Sequence, residues 1–276
     1  MEQETIQDGV YDISIEKYHN GPGISRSTLM EFMKSPLHYN YKVHNREEKK
    51  PVDIIRKFNP LEFGNALHTF VLEPELFFDK YEILPEIDKR TTAGKALFKE
   101  IQERAVGKEF IAQDAFDEIE LMRDSIMTNE DARSLIEGAL YEKSLYWTDP
   151  LTGLLCKVRP DIWHSNMIVD LKTTASASLR DFQRSVYGYG YHVQAAMIHE
   201  ALKYVRSEIV TNFLYIAIEK EAPYAVAVYQ LDEEAIKLGI RQFQDILLGI
   251  KKCQENDSWP SYQAAIITIP NWAQQN

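Results

Sequence analysis

The chain has 276 residues, and because no Gly/Ser-rich or Pro-rich linker divides it, we expect one domain over residues 1–276. Its formal net charge of -11 and isoelectric point near 5.2 argue against a surface broadly coated with nucleic acid, since phosphate binding usually leaves a basic footprint. No stretch approaches the roughly 20 apolar residues of a membrane span and the polar N-terminus does not resemble a signal peptide, so we expect a cytoplasmic protein without membrane contact.

Residues 1–140 are predicted to be mostly helical. Ser25 or Ser27 can cap the first helix, and Pro74 can end the second. Apolar residues at helical spacing predict helices over about residues 25–34, 63–74, 95–106, 113–127 and 131–140.

His68 lies on or near the apolar face of the helix predicted over residues 63–74. A histidine there is either a hydrogen-bonded residue of the core or a metal ligand, since a neutral imidazole suits both roles. The helical pattern alone leaves both interpretations open.

Residues 141–276 are predicted to carry a sheet. Short runs rich in β-branched and aromatic residues indicate strands, and residues 149–153 have the composition of a turn between the first two. The strands are predicted over about residues 144–148, 154–158, 166–172, 210–218 and 224–230, and two helices over 191–205 and from Asp232 to about Gln254. This order predicts an α/β or α+β domain.

Two aspartates and a lysine stand out in the sequence RPDIWHSNMIVDLKTT, residues 159–174. Side chains alternate between the two faces of a strand, so Asp170 and Lys172 are expected on one face and Leu171 on the other. Asp161 follows the preceding predicted strand. A hairpin between that strand and the next would bring Asp161 near Asp170.

Such a set of residues suits phosphodiester hydrolysis with a divalent cation. Mg²⁺ takes oxygen ligands and keeps several waters, so one or two carboxylates with substrate phosphate oxygens suffice to hold it. The cation lowers the pKa of its water, and a nearby lysine can orient that water or stabilise the developing anion. The alternative is a solvated ion pair on an ordinary strand, because so short a motif is weak evidence on its own.

Gln194 lies inside the helical pattern of residues 191–205, beside Ala195, Ala196 and Met197. A polar amide among small and apolar neighbours needs a hydrogen-bond partner. Taken alone, Gln194 would be a buried amide bonded to the backbone.

Four blocks of sequence, in this order, resemble the RecB-like branch of the PD-(D/E)XK nuclease superfamily and, more closely, the C-terminal nuclease domain of RecE-type exonucleases (exodeoxyribonuclease VIII). They are ISRSTLMEFMKSPLHY (24–39), FGNALHTFVLEPELF (63–77), KVRPDIWHSNMIVDLKTTASAS (157–178) and YGYHVQAAM (189–197). The resemblance implies an α/β fold with a PD-(D/E)XK core, in which helices flank a central mixed β-sheet and the N-terminal part of the chain adds further helices.

The resemblance also implies roles for individual residues. The implied metal ligands are His68, Asp161, Asp170 and the backbone carbonyl of Leu171. Lys172 matches the motif lysine, and Gln194 matches the glutamine of a Q-x-x-x-Y motif; with His68, Asp161 and Asp170 these two make up the implied catalytic set. The tyrosine of that motif is replaced by Ile198, so its phosphate contact is expected from Tyr191 or Tyr187. Glu142 is similar to an acid found ahead of the first core strand in related nucleases.

Candidate DNA-contacting residues are basic or aromatic. Tyrosines near Gln194 can stack on nucleic acid, and a basic channel is compatible with an acidic exterior, because the field in a cleft depends on its lining. A solvated surface is the alternative for each basic cluster. The candidates are Lys42, Arg46, Arg180, Arg184, Tyr187 and Tyr191.

The resemblance implies a Mg²⁺-dependent double-stranded DNA exonuclease, with Mn²⁺ able to substitute. It further implies 5′ to 3′ resection from a duplex end, a 3′ single-stranded tail for a RecT-like annealing protein, a homo-oligomeric ring that is most simply a tetramer, and a bacterial or prophage origin. The two cysteines, Cys156 and Cys253, cannot form a four-cysteine iron–sulfur cluster within this chain. The alternatives are an endonuclease or flap-cleaving nuclease on the same core, and a DNA-end binding module that has lost catalysis.

Overall fold

The computed structural model describes residues 6–45, 60–88, 90–210 and 212–269, and Arg46 lies outside them. Within these ranges the strands are β1 (Gly9–Tyr11), β2 (Tyr81–Leu84), β3 (Glu109–Ala112), β4 (Leu140–Tyr141), β5 (Ser144–Thr148), β6 (Leu155–Val158), β7 (Ile162–His164), β8 (Met167–Thr174), β9 (Asn212–Glu219) and β10 (Val226–Gln230). The helices are α1 (Ile15–Asn20), α2 (Arg26–Lys34), α3 (Pro36–His44), α4 (Pro60–Leu72), α5 (Pro74–Lys80), α6 (Thr92–Arg104), α7 (Gln113–Thr128), α8 (Glu130–Ile136), α9 (Leu179–Gly188), α10 (Tyr191–Arg206) and α11 (Glu233–Glu255).

A mixed sheet with the strand order β10-β9-β8-β7-β4 forms the middle layer. β8 and β9 are parallel and the other neighbours are antiparallel. Parallel neighbours need a crossover connection, which α9 and α10 supply. A smaller antiparallel sheet, in the order β1-β5-β6, packs against α10.

Side chains from the two faces of the central sheet enter two apolar cores. On β8, Val169 and Leu171 enter the core that includes residues of α4 and α7, whereas Ile168 enters the core that includes residues of α10 and α11. This alternation puts Asp170 and Lys172 on the α10 side of β8. The strand therefore directs the polar side chains of Asp170 and Lys172 towards α10, whereas Val169 and Leu171 pack in the apolar core on the α4 and α7 side.

The long elements agree with the sequence predictions to within a few residues, with one exception at the helix predicted over residues 131–140. α8 ends at Ile136, and Gly138, with a φ of 74°, then turns the chain into β4. Pro74 does end the helix that carries His68, but it also begins α5 at once, since proline is well suited to the first helical position.

The hairpin that was predicted to bring Asp161 near Asp170 was assigned the wrong strand. The run 154–158 corresponds to β6, which pairs with β5 in the smaller sheet. The partner of β8 is β7, three residues long, joined to β8 by a two-residue turn at 165–166. A three-residue strand is too short to show alternation in sequence. None of the helices in the described ranges is both long and apolar enough for a membrane span.

Candidate active site

The candidate site lies at β7 and β8, where residues from both helix layers converge. Asp161 immediately precedes β7, and its side chain is mostly buried. Its Oδ2 accepts a hydrogen bond of 2.9 Å from the backbone N–H of Leu171 on β8. The same oxygen lies 3.5 Å from Nδ1 of His68, which α4 supplies from the opposite helix layer. Strand pairing and the α4 packing thus fix the positions of these two groups.

Glu142 joins this group from the connection between β4 and β5. Its backbone is left-handed, with a φ of 52°, which is uncommon for a residue with a side chain. Its N–H donates to the backbone carbonyl of Asp161 at 3.1 Å, and its Oε2 accepts from Nε of Arg159 at 2.6 Å. Its carboxylate lies beside both Arg159 and Asp161.

Arg159 holds Glu142 in place. Its Nη1 donates to Oγ of Ser144 at 2.7 Å and to the carbonyl of Ile13 at 2.8 Å, so its hydrogen bonds go to protein groups around Glu142. Sequence reasoning gave Arg159 no role, although it begins the RPD triplet. Glu142 could have pointed to it, because a buried carboxylate needs a nearby cation to offset the cost of burying its charge.

A divalent cation would fit between three of these side chains. His68, Glu142 and Asp161 each offer one ligand atom, and these atoms lie within 4.8 Å of one another. Two carboxylates and an imidazole are a donor set suited to Mg²⁺ or Mn²⁺. The family resemblance implies Asp170 and the Leu171 carbonyl as further ligands; Asp170 lies beside the three-residue cluster, where it also contacts Lys172 and Gln194.

Asp170, Lys172 and Gln194 form a connected polar network on the α10 side of β8. Lys172 forms an ion pair with Asp170, which confirms that their side chains share a face. Nε2 of Gln194 donates to Oδ1 of Asp170 at 2.8 Å, and Oε1 of Gln194 accepts from Nζ of Lys172 at 3.4 Å. The hydrogen-bond partners predicted for the Gln194 amide are therefore the side chains of Asp170 and Lys172.

Burial raises the pKa values of the two carboxyl groups in the cluster, Asp161 and Glu142. Burial, and then the neighbouring Asp170, raise the pKa of Asp161 far above its usual range. Burial, and then Asp161, raise the pKa of Glu142 to about 7, although Arg159 opposes the shift. These groups retain protons that solvated carboxylates would lose, so an added cation would relieve the conflict.

The two basic groups shift in opposite directions. Burial lowers the pKa of His68, which favours the neutral imidazole that a metal ion requires. Burial also opposes the charge on Lys172, but Asp170 and Asp161 outweigh it, and the pKa of Lys172 is raised. Lys172 is therefore an ammonium cation beside the carboxylates.

Tyr191 completes the polar network, whereas Ile198 does not contribute to it. Nζ of Lys172 lies 4.8 Å from the centroid of the Tyr191 ring, a cation–π distance. Ile198, where the family motif has tyrosine, is buried in the α10 core. The aromatic ring beside Lys172 thus comes from the first residue of α10, one turn before Gln194.

The other candidate DNA-contacting residues lie on exposed surfaces. Tyr187 is exposed and stacks on His192, with ring planes 9° apart. Arg180 and Arg184 are exposed on α9, where Arg184 pairs with Asp181 at 3.7 Å. Lys42 is exposed on α3. None of these is a member of the network around Asp170.

A family model described as "PDDEXK-like domain of unknown function (DUF3799)" matches residues 25–268. That range includes every residue of the candidate site. No curated protein matches the chain.

Solved structures give a fold likeness. The crystal structure of a "Putative exonuclease" from Eubacterium rectale aligns over 96% of this chain and 98% of its own, with a TM-score of 0.61 and 16% identity. The crystal structure of SSO0001 aligns over 67% of this chain and 85% of its own at 16% identity, but its TM-score of 0.29 supports no argument. At such identities the first likeness concerns the fold alone.

Proposed function

The chain belongs to the family of PDDEXK-like domains, and on that premise we propose that it is a metal-dependent nuclease that hydrolyses phosphodiester bonds in DNA. One observation carries this proposal: ligand atoms of His68, Glu142 and Asp161 lie within 4.8 Å of one another, directly beside the Asp170–Lys172 ion pair. Neither a core histidine nor a solvated ion pair explains so many buried charged groups in one place.

Each residue has a role that its contacts support. His68, Glu142 and Asp161 would hold the cation, with Asp170 as the further carboxylate ligand that the family resemblance implies, and the cation would neutralise phosphoryl charge and lower the pKa of a bound water. Lys172, as a cation, stabilises the charge that develops on the phosphate oxygens. Gln194 fixes both Asp170 and Lys172 through its amide, and Arg159 fixes Glu142.

We propose Mg²⁺ as the natural cation, with Mn²⁺ able to replace it. Two carboxylates match the preference of both cations for oxygen ligands, and Mn²⁺ accepts an imidazole nitrogen more readily than Mg²⁺ does. The backbone carbonyl of Leu171 is a further candidate ligand, because it lies close enough to His68 to influence the pKa of the imidazole.

The mode of action that we propose is exonucleolytic. It is supported by the sequence resemblance to RecE-type exonucleases and by the fold shared with the protein described as a "Putative exonuclease". By the same resemblance we propose double-stranded DNA ends as substrate, 5′ to 3′ polarity, and a 3′ tail passed to a RecT-like annealing protein for recombination. A tetrameric ring and a cytoplasmic bacterial or prophage setting belong to the same proposal.

The test is digestion of linear duplex DNA in Mg²⁺, in Ca²⁺ and in EDTA, with Asp170→Ala beside the wild type. We expect nucleotide release by the wild type in Mg²⁺ only, and loss of activity in the variant. A wild type that is inactive in Mg²⁺ and indistinguishable from Asp170→Ala would refute catalysis. Retained binding of DNA ends would then favour a non-catalytic end-binding module, a possibility that Ile198 in place of the motif tyrosine supports.

Covalently closed circular duplex separates an exonuclease from an endonuclease. An exonuclease leaves the circle intact and degrades it only after linearisation. Cleavage of the intact circle would assign the same site to an endonuclease. Duplexes labelled at the 5′ or the 3′ end then report polarity through the order in which label is released.

A further inference from the structure

Arg26, the first residue of α2, lies at the edge of the candidate site. The chain just before it is fixed to the smaller sheet, because the N–H of Ile24 donates to Leu155 at 2.8 Å and its carbonyl accepts from Lys157 at 2.9 Å. The guanidinium of Arg26 lies 5.3 Å from the centroid of the Tyr191 ring. Arg26 and Lys172 therefore lie close to the same aromatic ring, that of Tyr191.

Close packing between α2 and the start of α10 holds this arrangement. Gly190 has a φ of 68°, and a Cβ there would lie 2.7 Å from Sδ of Met30, one turn after Arg26. A residue with a Cβ would have a strained backbone here and would displace the end of the Met30 side chain. The first turns of α2 and α10 therefore lie side by side, with Arg26 over Tyr191.

Within the part of the chain that the structure describes, no side chain neutralises the charge of Arg26 by contact. Its Nε is buried without a hydrogen-bond partner, and no carboxylate of the described residues forms an ion pair with it. Asp170 attracts it electrostatically from a distance. Arg159 is the contrast, because its Nε and Nη1 donate to Glu142, Ser144 and Ile13. A partly buried guanidinium with unused donors suits phosphate oxygens, which it can bind through two parallel hydrogen bonds.

We propose that Arg26 binds a backbone phosphate of the DNA strand being cut, next to the scissile phosphate, with Tyr191 as the aromatic platform beneath it. This inference rests on the proposed function. The guanidinium and Nζ of Lys172 lie 5.3 Å and 4.8 Å from the same centroid, so they are at most about 10 Å apart. Because a DNA strand carries a phosphate every ~3.4 Å of helix axis, that span reaches from the scissile phosphate to a near neighbour.

The test measures binding of a fluorescent linear duplex at several salt concentrations, in Ca²⁺, with gels to verify that the DNA stays uncut. Arg26→Gln is expected to weaken binding about tenfold or more, since a charge-assisted contact is lost. The slope of log affinity against log salt is expected to fall in magnitude by about one unit, as for one phosphate contact. Arg26→Lys, which keeps the charge, should recover much of the slope.

Arg123 offers a matched control. Its guanidinium also lies 5.3 Å from an aromatic centroid, that of Phe70, and its Nε is also buried without a partner. It belongs to α7, in the other helix layer. Arg123→Gln therefore carries a similar structural change and is expected to leave the salt slope unaltered.

A duplex with a single neutral methylphosphonate identifies the phosphate. When the neutral linkage stands at one particular position beside the cleavage site, the wild type should bind this duplex more weakly than the unmodified duplex. Arg26→Gln, which has already lost the contact, should bind both duplexes equally. An unchanged salt slope in Arg26→Gln, or the same loss in Arg123→Gln, would overturn the proposal. Failure of the proposed function is a separate result, namely a wild type that cuts no DNA in Mg²⁺, whereas this test depends on binding alone.

Discussion

Asp161 and Glu142 are acids that the fold places where their charges are poorly solvated. Each has a raised pKa because of burial, and each is next to another carboxyl group. A protein retains such a conflict where function needs it, because a buried charge without adequate compensation is destabilising. The metal-free protein should therefore show the cost of this site in its stability.

We expect the metal-free protein to lose stability as pH rises. Glu142 has an ordinary pKa of 4.5 and a folded pKa of about 7, so between these values the folded state keeps a proton that the unfolded chain releases. Stability then falls through that window. Asp161 shifts in the same direction. Urea denaturation in EDTA should show a decrease in the free energy of unfolding of about 2 kcal/mol or more between pH 5 and pH 8.

Asp161→Asn should flatten this decrease. The asparagine Oδ1 can still accept from the N–H of Leu171, but it carries no charge. Mg²⁺ at pH 8 should stabilise the wild type more than the variant. Equal pH slopes for the two proteins in EDTA would show that Asp161 is not the source of the effect.

Gln194→Glu should reduce nuclease activity about 100-fold, because small misplacements of catalytic groups have effects of that size. The substitution replaces the amide that donates to Asp170 with a second acceptor, and adds a negative charge. Gln102→Glu on the exposed surface of α6 adds the same charge and should stay within about twofold of wild type. Comparable losses in both variants would point to net charge instead of the amide contact.

At the scale of elements, α10 positions the polar network. Gly190 is its N-cap, and the left-handed backbone there lets the chain turn from α9 while Met30 packs against it. Tyr191 and Gln194 follow in its first turn. The geometry at one glycine therefore determines where two site residues lie.

Gly190→Ala should destabilise the protein by about 1–3 kcal/mol, since it combines a left-handed alanine with a contact to Met30. Activity should fall as well, because α10 carries Gln194. Gly188→Ala is the control: it lies in α9 and a Cβ there meets nothing within 4 Å. Thermal denaturation of both variants tests this, and a Gly190→Ala protein as stable as Gly188→Ala would contradict the packing argument.

The sequence predicted the long elements of this fold well, because their apolar periodicity extends over several turns or strand pairs. The α/β fold with a PD-(D/E)XK core is confirmed. The short elements could not be predicted. β7 has only three residues, too few to show an alternating pattern, and its pairing with β8 is a tertiary contact that no periodicity in the sequence indicates. Arg26 stood inside a matched block, but only its position over Tyr191 gives it a role.

At the scale of the molecule, the proposed ring makes a prediction about mass. Sedimentation equilibrium should give about four times the chain mass of 32.0 kDa. A ring that encloses DNA should also remain on one duplex through many cleavage events, so excess competitor DNA added after the start should not stop digestion. A monomeric mass would refute the ring. Digestion that stops when competitor DNA is added would refute topological linkage. Neither result would contradict the proposed catalytic site.

The most direct test of metal-dependent catalysis at this site is the single-turnover rate of cleavage of a linear duplex in Mg²⁺, compared between Asp170→Asn and Asp149→Asn. Both residues are buried aspartates, but Asp149 accepts from the N–H and Oγ1 of Thr152 in the β5–β6 turn, away from the site. We predict a loss of about 10³-fold or more for Asp170→Asn and less than about fivefold for Asp149→Asn, with no cleavage by the wild type in EDTA. A wild-type rate in Asp170→Asn, or cleavage that persists in EDTA, would contradict the account.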